Sequence, residues 1–528
     1  MNTKILKIFT IGMSALSLAA CNDFLDEMPD NRATLDSEDK ISHMLVSAYM
    51  TNLPTLVMEY MSDNVDDNGS NNPYTNRFFD QVYRWDDITE GNNESPESFF
   101  DAAYKAIASA NAALQAIEDL GGATTPKLQA AKGEALLCRA YNHFMLVNFF
   151  CMAYNSETST SDLGMPYSTS PETELRPEYK RGTVAEDYAR MEADIIEGLP
   201  LINDQYYSIP KYHFNQKAAY AFASRFYLYY EKWDKCIEYA DKCLGDNPAS
   251  QLRDYSALAS MTQDYDAVGN AYIDAQTNCN LLLLTGYSVL GVAFGPYFNY
   301  GKYSHGSYIA SNEDSYAPNV WGSPLLEKYQ VKRYGGTNLN KYIYWRCPSK
   351  FEYTDPVAGI GFNRTVAPVL TADEALLNRA EAKAVLKQYD ASVADLNMWM
   401  KNFTNVTTDL TLESIKTFYN GIDYCYSDAD GLNSTQKKHI NPHFAIDAEG
   451  SDQESLLQCV LGFKRLETLQ CGLRWFDLKR YRIVYPRRLL ASNGTPQEKT
   501  DELKTDDPRR AIQLPKKVID AGLEKNPR

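Results

Sequence analysis

KAAYAFASRFYLYYEKWDKCIEYADKCLGDNP, residues 217–248, holds the clearest structural signal in the chain. The pattern predicts one amphipathic helix ending near Tyr230, a short charged turn carrying Trp233, and a second helix. Cys236, Ala240 and Cys243 place small residues on one face of that second helix, and Pro248 closes the unit. Small residues let two helices approach, and proline cannot continue a helix. The unit therefore resembles the second half of a tetratricopeptide repeat. Residues 371–401 give a weaker copy, with Tyr389 in the place of Trp233. The copies are not in tandem, so the chain is not a regular solenoid. A helical hairpin is also expected over residues 97–149, interrupted at Gly121 and Gly122.

Between these pairs the pattern changes. Over residues 250–370 helical periodicity fades, and Gly, Pro, Asn and Tyr become dense. Ten tyrosines and two tryptophans fall from Tyr287 to Trp345. Residues 403–455 are expected to form a second polar insertion, and residues 488–508 a charged surface loop. The chain of 528 residues could hold three to four domains by length, but helical folds often run longer as one unit. Its formal charge of −17 argues against nucleic acid, which needs clustered Lys and Arg.

The N-terminus reads as a targeting segment. Lys4 and Lys7 precede an apolar or small stretch, residues 8–20, too short to span a bilayer and the right length for a signal peptide. Leu18-Ala19-Ala20-Cys21 resembles a bacterial lipobox. The expected division is a lipoprotein signal peptide over residues 1–20 and one domain over 21–528, with Cys21 acylated and anchoring the chain. The other nine cysteines are scattered and odd in number, so they do not read as a disulfide framework. Cys138, Cys236 and Cys243 read as small buried residues.

Five stretches, in order, are similar to SusD/RagB-family outer-membrane nutrient-binding lipoproteins: CNDFLDEMPD (21–30), AKGEALLCRAYNHFMLVNFF (131–150), RTVAPVLTADEALLNRAEAKA (364–384), LQCGLRWFDLKRY (469–481) and IQLPKKVIDAGLEKNP (512–527). Ile519 departs from a common Glu, and the usual Gln-Asn-Pro-Gly ending is missing. The resemblance implies a mainly α fold, with helical pairs at about 97–150, 184–248 and 371–402 and a loop-rich binding insertion at about 250–370. It implies a glycan-capturing protein, not an enzyme, that caps a TonB-dependent outer-membrane transporter and faces the cell exterior. A peptide-binding member of the same family, a surface-anchored glycoside hydrolase and a helical scaffold are the alternatives.

No cofactor or metal is expected. His439 and His443 have zinc-helix spacing, but Pro442 lies between them. Asn64-x-Asp66-x-Asn68-Gly69 begins like a calcium loop but has Thr75 where a Glu is needed, and residues 427–431 are shorter still. No Gly-x-Ser-x-Gly, Walker loop or Cys-x-x-Cys is present. A protein that holds sugars without cutting them needs aromatic faces beside amides and hydroxyls. The candidates are Tyr83 and Trp85 with Asn71 and Asn72, and Tyr297, Tyr300, Tyr303 and Trp321. Trp233, Trp399 and Trp475 lie on helical patterns and read as structural. Arg474, Asp477, Lys479 and Arg480 read as a solvated or ion-paired helix face.

Overall fold

A computed structural model describes residues 35–172 and 179–528. Cys21 and the stretch expected as a signal peptide lie outside the described residues. Helices α1 (Pro96–Asp119) and α2 (Pro126–Phe150) form the first pair. Each starts with a Ser or Thr cap followed by proline, the arrangement that satisfies a free N–H and presets the first turn. The backbone between them passes through Gly121 and Gly122, both at positive φ. Helix α3 (Val184–Gly198) opens with a capping box between Thr183 and Glu186. It approaches α2 through two glycines: a Cβ on Gly133 would sit 2.9 Å from the Gly198 carbonyl oxygen.

Helices α4 (Gln216–Tyr229) and α5 (Trp233–Leu244) form the pair read from residues 217–248, with Cys236, Ala240 and Cys243 all buried. Helices α6 (Ala372–Val385) and α7 (Tyr389–Phe403) form the weaker copy, and Tyr389 opens α7 as Trp233 opens α5. Although distant in sequence, the two pairs meet in space, α6 packing against both α4 and α5. Ion pairs join them: the buried Arg225 of α4 with Glu374 of α6, and Arg379 of α6 with the exposed Asp241 of α5, while Arg379 also meets the buried Asp395 of α7 within its own pair. Helix α8 (Asp452–Thr468) packs on α6, and α9 (Arg474–Arg480) follows it. Trp399 and Trp475 are fully buried, as their helical pattern implies. Among the described residues, no helix is long and apolar enough to cross a membrane, and all nine cysteines are unpaired.

The insertions hold more regular structure than their composition implies. The strands are β1 (Asp66–Asp67), β2 (Asn280–Tyr287), β3 (Tyr303–Ser304), β4 (Lys332–Gly336), β5 (Leu339–Ile343), β6 (Lys350–Asp355), β7 (Ile360–Thr371), β8 (Tyr485–Leu490) and β9 (Pro496–Leu503). Strands β2, β7 and β6 form an antiparallel sheet in the order β2-β7-β6, with Leu284 opposite Ala367. Leu281 to Leu284 are buried on both faces, so the run shows no alternation. The stretch expected as a charged loop over 488–508 is instead largely the β8–β9 hairpin. Arg487 and Arg488 on β8 are 1 % exposed, so their charges belong to the interior. Short strands β3 and β1 extend that hairpin into one sheet of order β3-β1-β8-β9. This sheet ties residues near the N-terminus to the middle and end of the chain.

Buried cations brace helix ends. Arg346 donates to the carbonyls of Leu466 and Leu469 at the end of α8. Arg487 donates to the carbonyls of Tyr60 and Ser62, at the end of the helix Thr55–Met61, and to that of Tyr83. Arg510 donates to the carbonyls of Leu478 and Ile483 around the end of α9, and Lys479 to those of Asn148 and Cys151 at the end of α2. Helix C-termini present unpaired carbonyls and partial negative charge, which these side chains meet. Burial pushes the Lys479 ammonium down to about 7. Of the two readings of Arg474, Asp477, Lys479 and Arg480, a solvated or an ion-paired face, the solvated one is corrected and the ion-paired one holds. All four are buried, with Arg474 on Asp63, and Arg480 on both Asp477 and Glu381.

Candidate functional site

The β4–β5 hairpin carries the site. Its turn places Gly336 and Asn338 at positive φ, the conformation that glycine and asparagine tolerate. Arg333 is paired with Tyr342 across the hairpin. Alternation therefore puts Arg333, Asn340 and Tyr342 on one face, and Tyr334 and Lys341 on the other. The second face is structural: Tyr334 accepts from the Trp345 indole, and Lys341 is buried against the Ala293 carbonyl. The first face borders an open cleft of about 620 Å³, completed by Ser70, Asn71 and the turn Ser492, Asn493 and Gly494 of the β8–β9 hairpin.

Several side chains in and beneath the cleft are held from behind. Asn340 donates to Asn68 and accepts from the Ser307 N–H. Asn71 donates to the Ala491 carbonyl at 2.9 Å, and Asn72 to the Asn338 carbonyl at 2.6 Å. Arg333 donates to the Tyr316 hydroxyl at 2.9 Å and lies over its ring at 4.8 Å. Tyr342 stands 5.9 Å from Tyr316 between ring centres, and its backbone is clamped by His305 on both its N–H and its carbonyl. The result is a half-exposed ring beside a guanidinium and several amides. That arrangement suits a ligand with apolar faces and many hydroxyls. Tyr74 and Phe298, both exposed and 4.8 Å apart between ring centres, provide a further aromatic pair on the neighbouring loops.

A buried charge cluster anchors this face to the helical body. Glu313 meets Lys438 at 2.6 Å, Arg465 at 3.0 Å and Arg488 at 3.1 Å. Asp63 pairs with Arg474, Asp66 with Arg488, and Asp314 with His305 and Arg465. Burial opposes ionisation of Glu313, but the three cations outweigh it and hold its carboxyl well below the usual range. For His305, burial disfavours the charged ring, yet Asp314 prevails and raises its pKa. Nδ1 of His305 faces a carbonyl, which can only accept, so Nδ1 carries a proton, and the Asp314 carboxylate at Nε2 favours a second one.

The eight residues expected to bind glycan do not gather in this cleft. Asn71 lines it, and Asn72 supports its hairpin from a buried position. Tyr297 is 39 % exposed, and Tyr300 is half-buried against Phe79. The other four are corrected to core residues. Tyr83 and Tyr303 stack at 4.1 Å and are 2 % exposed. Trp85 is 3 % exposed, donates to the Met61 carbonyl and lies under Arg487. Trp321 packs among Trp399, Phe403 and Phe463. None of these four offers a ring face to solvent. Arg333, Asn340 and Tyr342 were missed. Their signal was KRYGGTNLNKYI, two alternating runs around a Gly-rich turn, which reads as a hairpin.

The calcium-like stretch is likewise part of the interior. Asn64 bonds Glu59 and Arg465, Asp66 pairs with Arg488, and Asn68 bonds Gly301, Ser304 and Asn340. Protein partners engage all three side chains. Residues 427–431 form a turn in which Asp428 accepts from the Leu432 N–H. His439 lies in a loop, stacked on Tyr424 and paired with Glu449. Among the described residues no group of three or more His, Cys, Asp or Glu is placed to hold a metal.

Residues 23–228 match the family model SusD-like_3, described as starch-binding and associating with the outer membrane. No curated protein matches the chain. Among solved structures, a SusD superfamily protein from Bacteroides thetaiotaomicron is 20 % identical, covering 94 % of this chain and 100 % of its own, with a TM-score of 0.60. A putative sugar binding protein from Bacteroides vulgatus is 18 % identical over 94 % and 99 %, with a TM-score of 0.63. A SusD superfamily protein from Bacteroides fragilis is 17 % identical over 93 % and 99 %, with a TM-score of 0.61. The helical body and its insertions are thus one shared fold along nearly the whole chain.

Proposed function

Because residues 23–228 match the SusD-like_3 family model and the whole fold is shared with SusD superfamily structures, we propose that this chain is a SusD-like protein that captures oligo- or polysaccharide in the β4–β5 cleft and delivers it to a TonB-dependent outer-membrane transporter. The observation that carries the reading is the pairing of Arg333 and Tyr342 on one open hairpin face, with Asn71 completing the floor. The mechanism is capture without bond cleavage: Tyr342 lies against a sugar face while Arg333 and nearby amides exchange hydrogen bonds with hydroxyls. Acyl chains on Cys21 would hold the body at the membrane, facing the cell exterior, beside the transporter it serves.

Calorimetry of the purified protein against a panel of polysaccharides, oligosaccharides and peptides tests this reading. Saturable glycan binding, weakened at least tenfold in Tyr342→Ala and Arg333→Ala and with no product formed, is the expected result. Binding of peptides alone, or turnover of a polysaccharide, would overturn it.

A further inference from the structure

A second cavity, of about 280 Å³, opens beside the segment that floors the cleft. Ser70 and Asn71 border the cleft, while Asn76, Phe78 and Phe79 border this pocket. Four asparagines line it, Asn76, Asn92, Asn93 and Asn363, together with Tyr300 and the exposed ring of Phe362. One further lining residue stands apart. Glu94 is 5 % exposed, and its carboxylate accepts from the Ser288 hydroxyl at 3.1 Å and the Val289 N–H at 2.6 Å. A carboxylate has about four acceptor positions, so these two bonds leave capacity on it.

No Lys or Arg lines the pocket. Many buried carboxylates, among them Glu313, Asp63, Asp66, Glu374, Asp194 and Glu381, meet a guanidinium or an ammonium, whereas Glu59, Asp187 and Glu327 are held by uncharged donors. Among the described residues Glu94 has no cationic partner either, and burial pushes its carboxyl up to about 7. A buried carboxylate without a cation is costly, and here it borders a space that a ligand can enter. A ligand bringing a cation would relieve that cost.

We infer that the Glu94 pocket is a subsite for a primary ammonium group carried on a sugar, so that the chain selects glycans containing free-amine hexosamine. The ammonium meets Glu94, the asparagine amides meet neighbouring hydroxyls, and Phe362 or Tyr300 lies against the ring face. This inference rests on the glycan-capture reading and narrows its substrate class.

The test is calorimetry of the purified full-length chain with four probes: a glucosamine tetramer, its fully N-acetylated counterpart, a neutral glucose tetramer and tetralysine. The glucosamine tetramer is expected to bind at least tenfold more tightly than the acetylated and neutral tetramers. Glu94→Gln, which keeps the shape of the side chain, is expected to erase that preference by bringing the glucosamine tetramer's affinity down to that of its acetylated counterpart. A circular dichroism melt of Glu94→Gln checks that the fold is retained, and Asn363→Asp, which adds charge to the same pocket, is expected to strengthen the preference. Equal affinity for the amine and acetylated tetramers would overturn the inference and leave glycan capture standing. Tighter binding of tetralysine, lost in Glu94→Gln, would assign the ammonium to a peptide and overturn the sugar class. Silence from every sugar tetramer would overturn the inference alone, since the wider glycan panel decides the capture reading.

Discussion

Nδ1 of His305 lies 2.8 Å from the carbonyl oxygen of Tyr342, while the Tyr342 N–H donates to the His305 carbonyl. The ring that faces the cleft is therefore fixed by a histidine whose other nitrogen is 2.9 Å from Asp314. The folded pKa of His305 is raised above its unfolded value of about 6.5. Its contribution is thus fully present below about pH 6.5 and is lost as pH rises through the folded value. Urea unfolding of the protein and of His305→Gln, at pH 6 and pH 9, should show a stability gap at pH 6 that narrows at pH 9. A gap that widens with pH would contradict stabilisation by a protonated His305.

Trp85→Ala and Trp321→Ala should each lose about 3–5 kcal/mol of stability, the usual range for emptying a buried aromatic site. Glycan affinity of the protein that remains folded should be unchanged, because neither ring reaches the cleft. Denaturant midpoints measured beside calorimetry would separate the two effects. Trp321→Phe should be milder than Trp85→Phe. The Trp321 indole has no hydrogen-bond partner, whereas the Trp85 indole satisfies the buried Met61 carbonyl.

Glu313→Gln should cost about 3–5 kcal/mol, because it leaves Lys438, Arg465 and Arg488 gathered around a neutral amide. The folded pKa of Glu313 is depressed, so its stabilisation is present above the unfolded value of about 4.3 and is lost as pH falls through the folded value. Acid unfolding of the parent protein should therefore be steeper below pH 4 than that of Glu313→Gln.

Gly133→Ala should destabilise by about 1–3 kcal/mol, since the added methyl would press on the Gly198 carbonyl and on Leu201 of the facing segment. Gly494→Ala, in open space but at positive φ, isolates the separate effect of backbone strain. Thermal melts of the two variants would compare close approach with strain.

The helical body was legible because its signals are local. A small-residue face at Cys236, Ala240 and Cys243, a terminating Pro248 and an aromatic at Trp233 sit within one short window. The meeting of that pair with α6 and α7 was not, since Arg225 and Glu374 are brought together only by the fold. Composition misled most where polar residues enter the interior. Arg488 falls in the stretch that reads as a charged loop, yet Asp66 and Glu313 satisfy it inside the molecule. For the aromatics, sequence gives the type of side chain but not its exposure. Trp321 and Tyr342 lie in one Tyr-rich stretch, and a period-two face on β5 is what separates the half-exposed ring from the buried one. Asn71 and Asn72 were singled out together as polar neighbours, and only the fold separates them, with Asn71 bordering the cleft and Asn72 buried beneath its hairpin.

The carbonyl-braced arginines bear on how freely this sequence can drift. In the Arg225–Glu374 pair, a change at either position breaks the contact. Arg346, Arg487 and Arg510 hold backbone oxygens instead, and a backbone oxygen is present whatever residue occupies positions 60, 62, 466, 469 or 478. Each joint therefore depends on one codon rather than two. The helix ends it grips can exchange side chains without losing their restraint, so the loops around the cleft can diversify for new ligands while the frame that carries them stays in register.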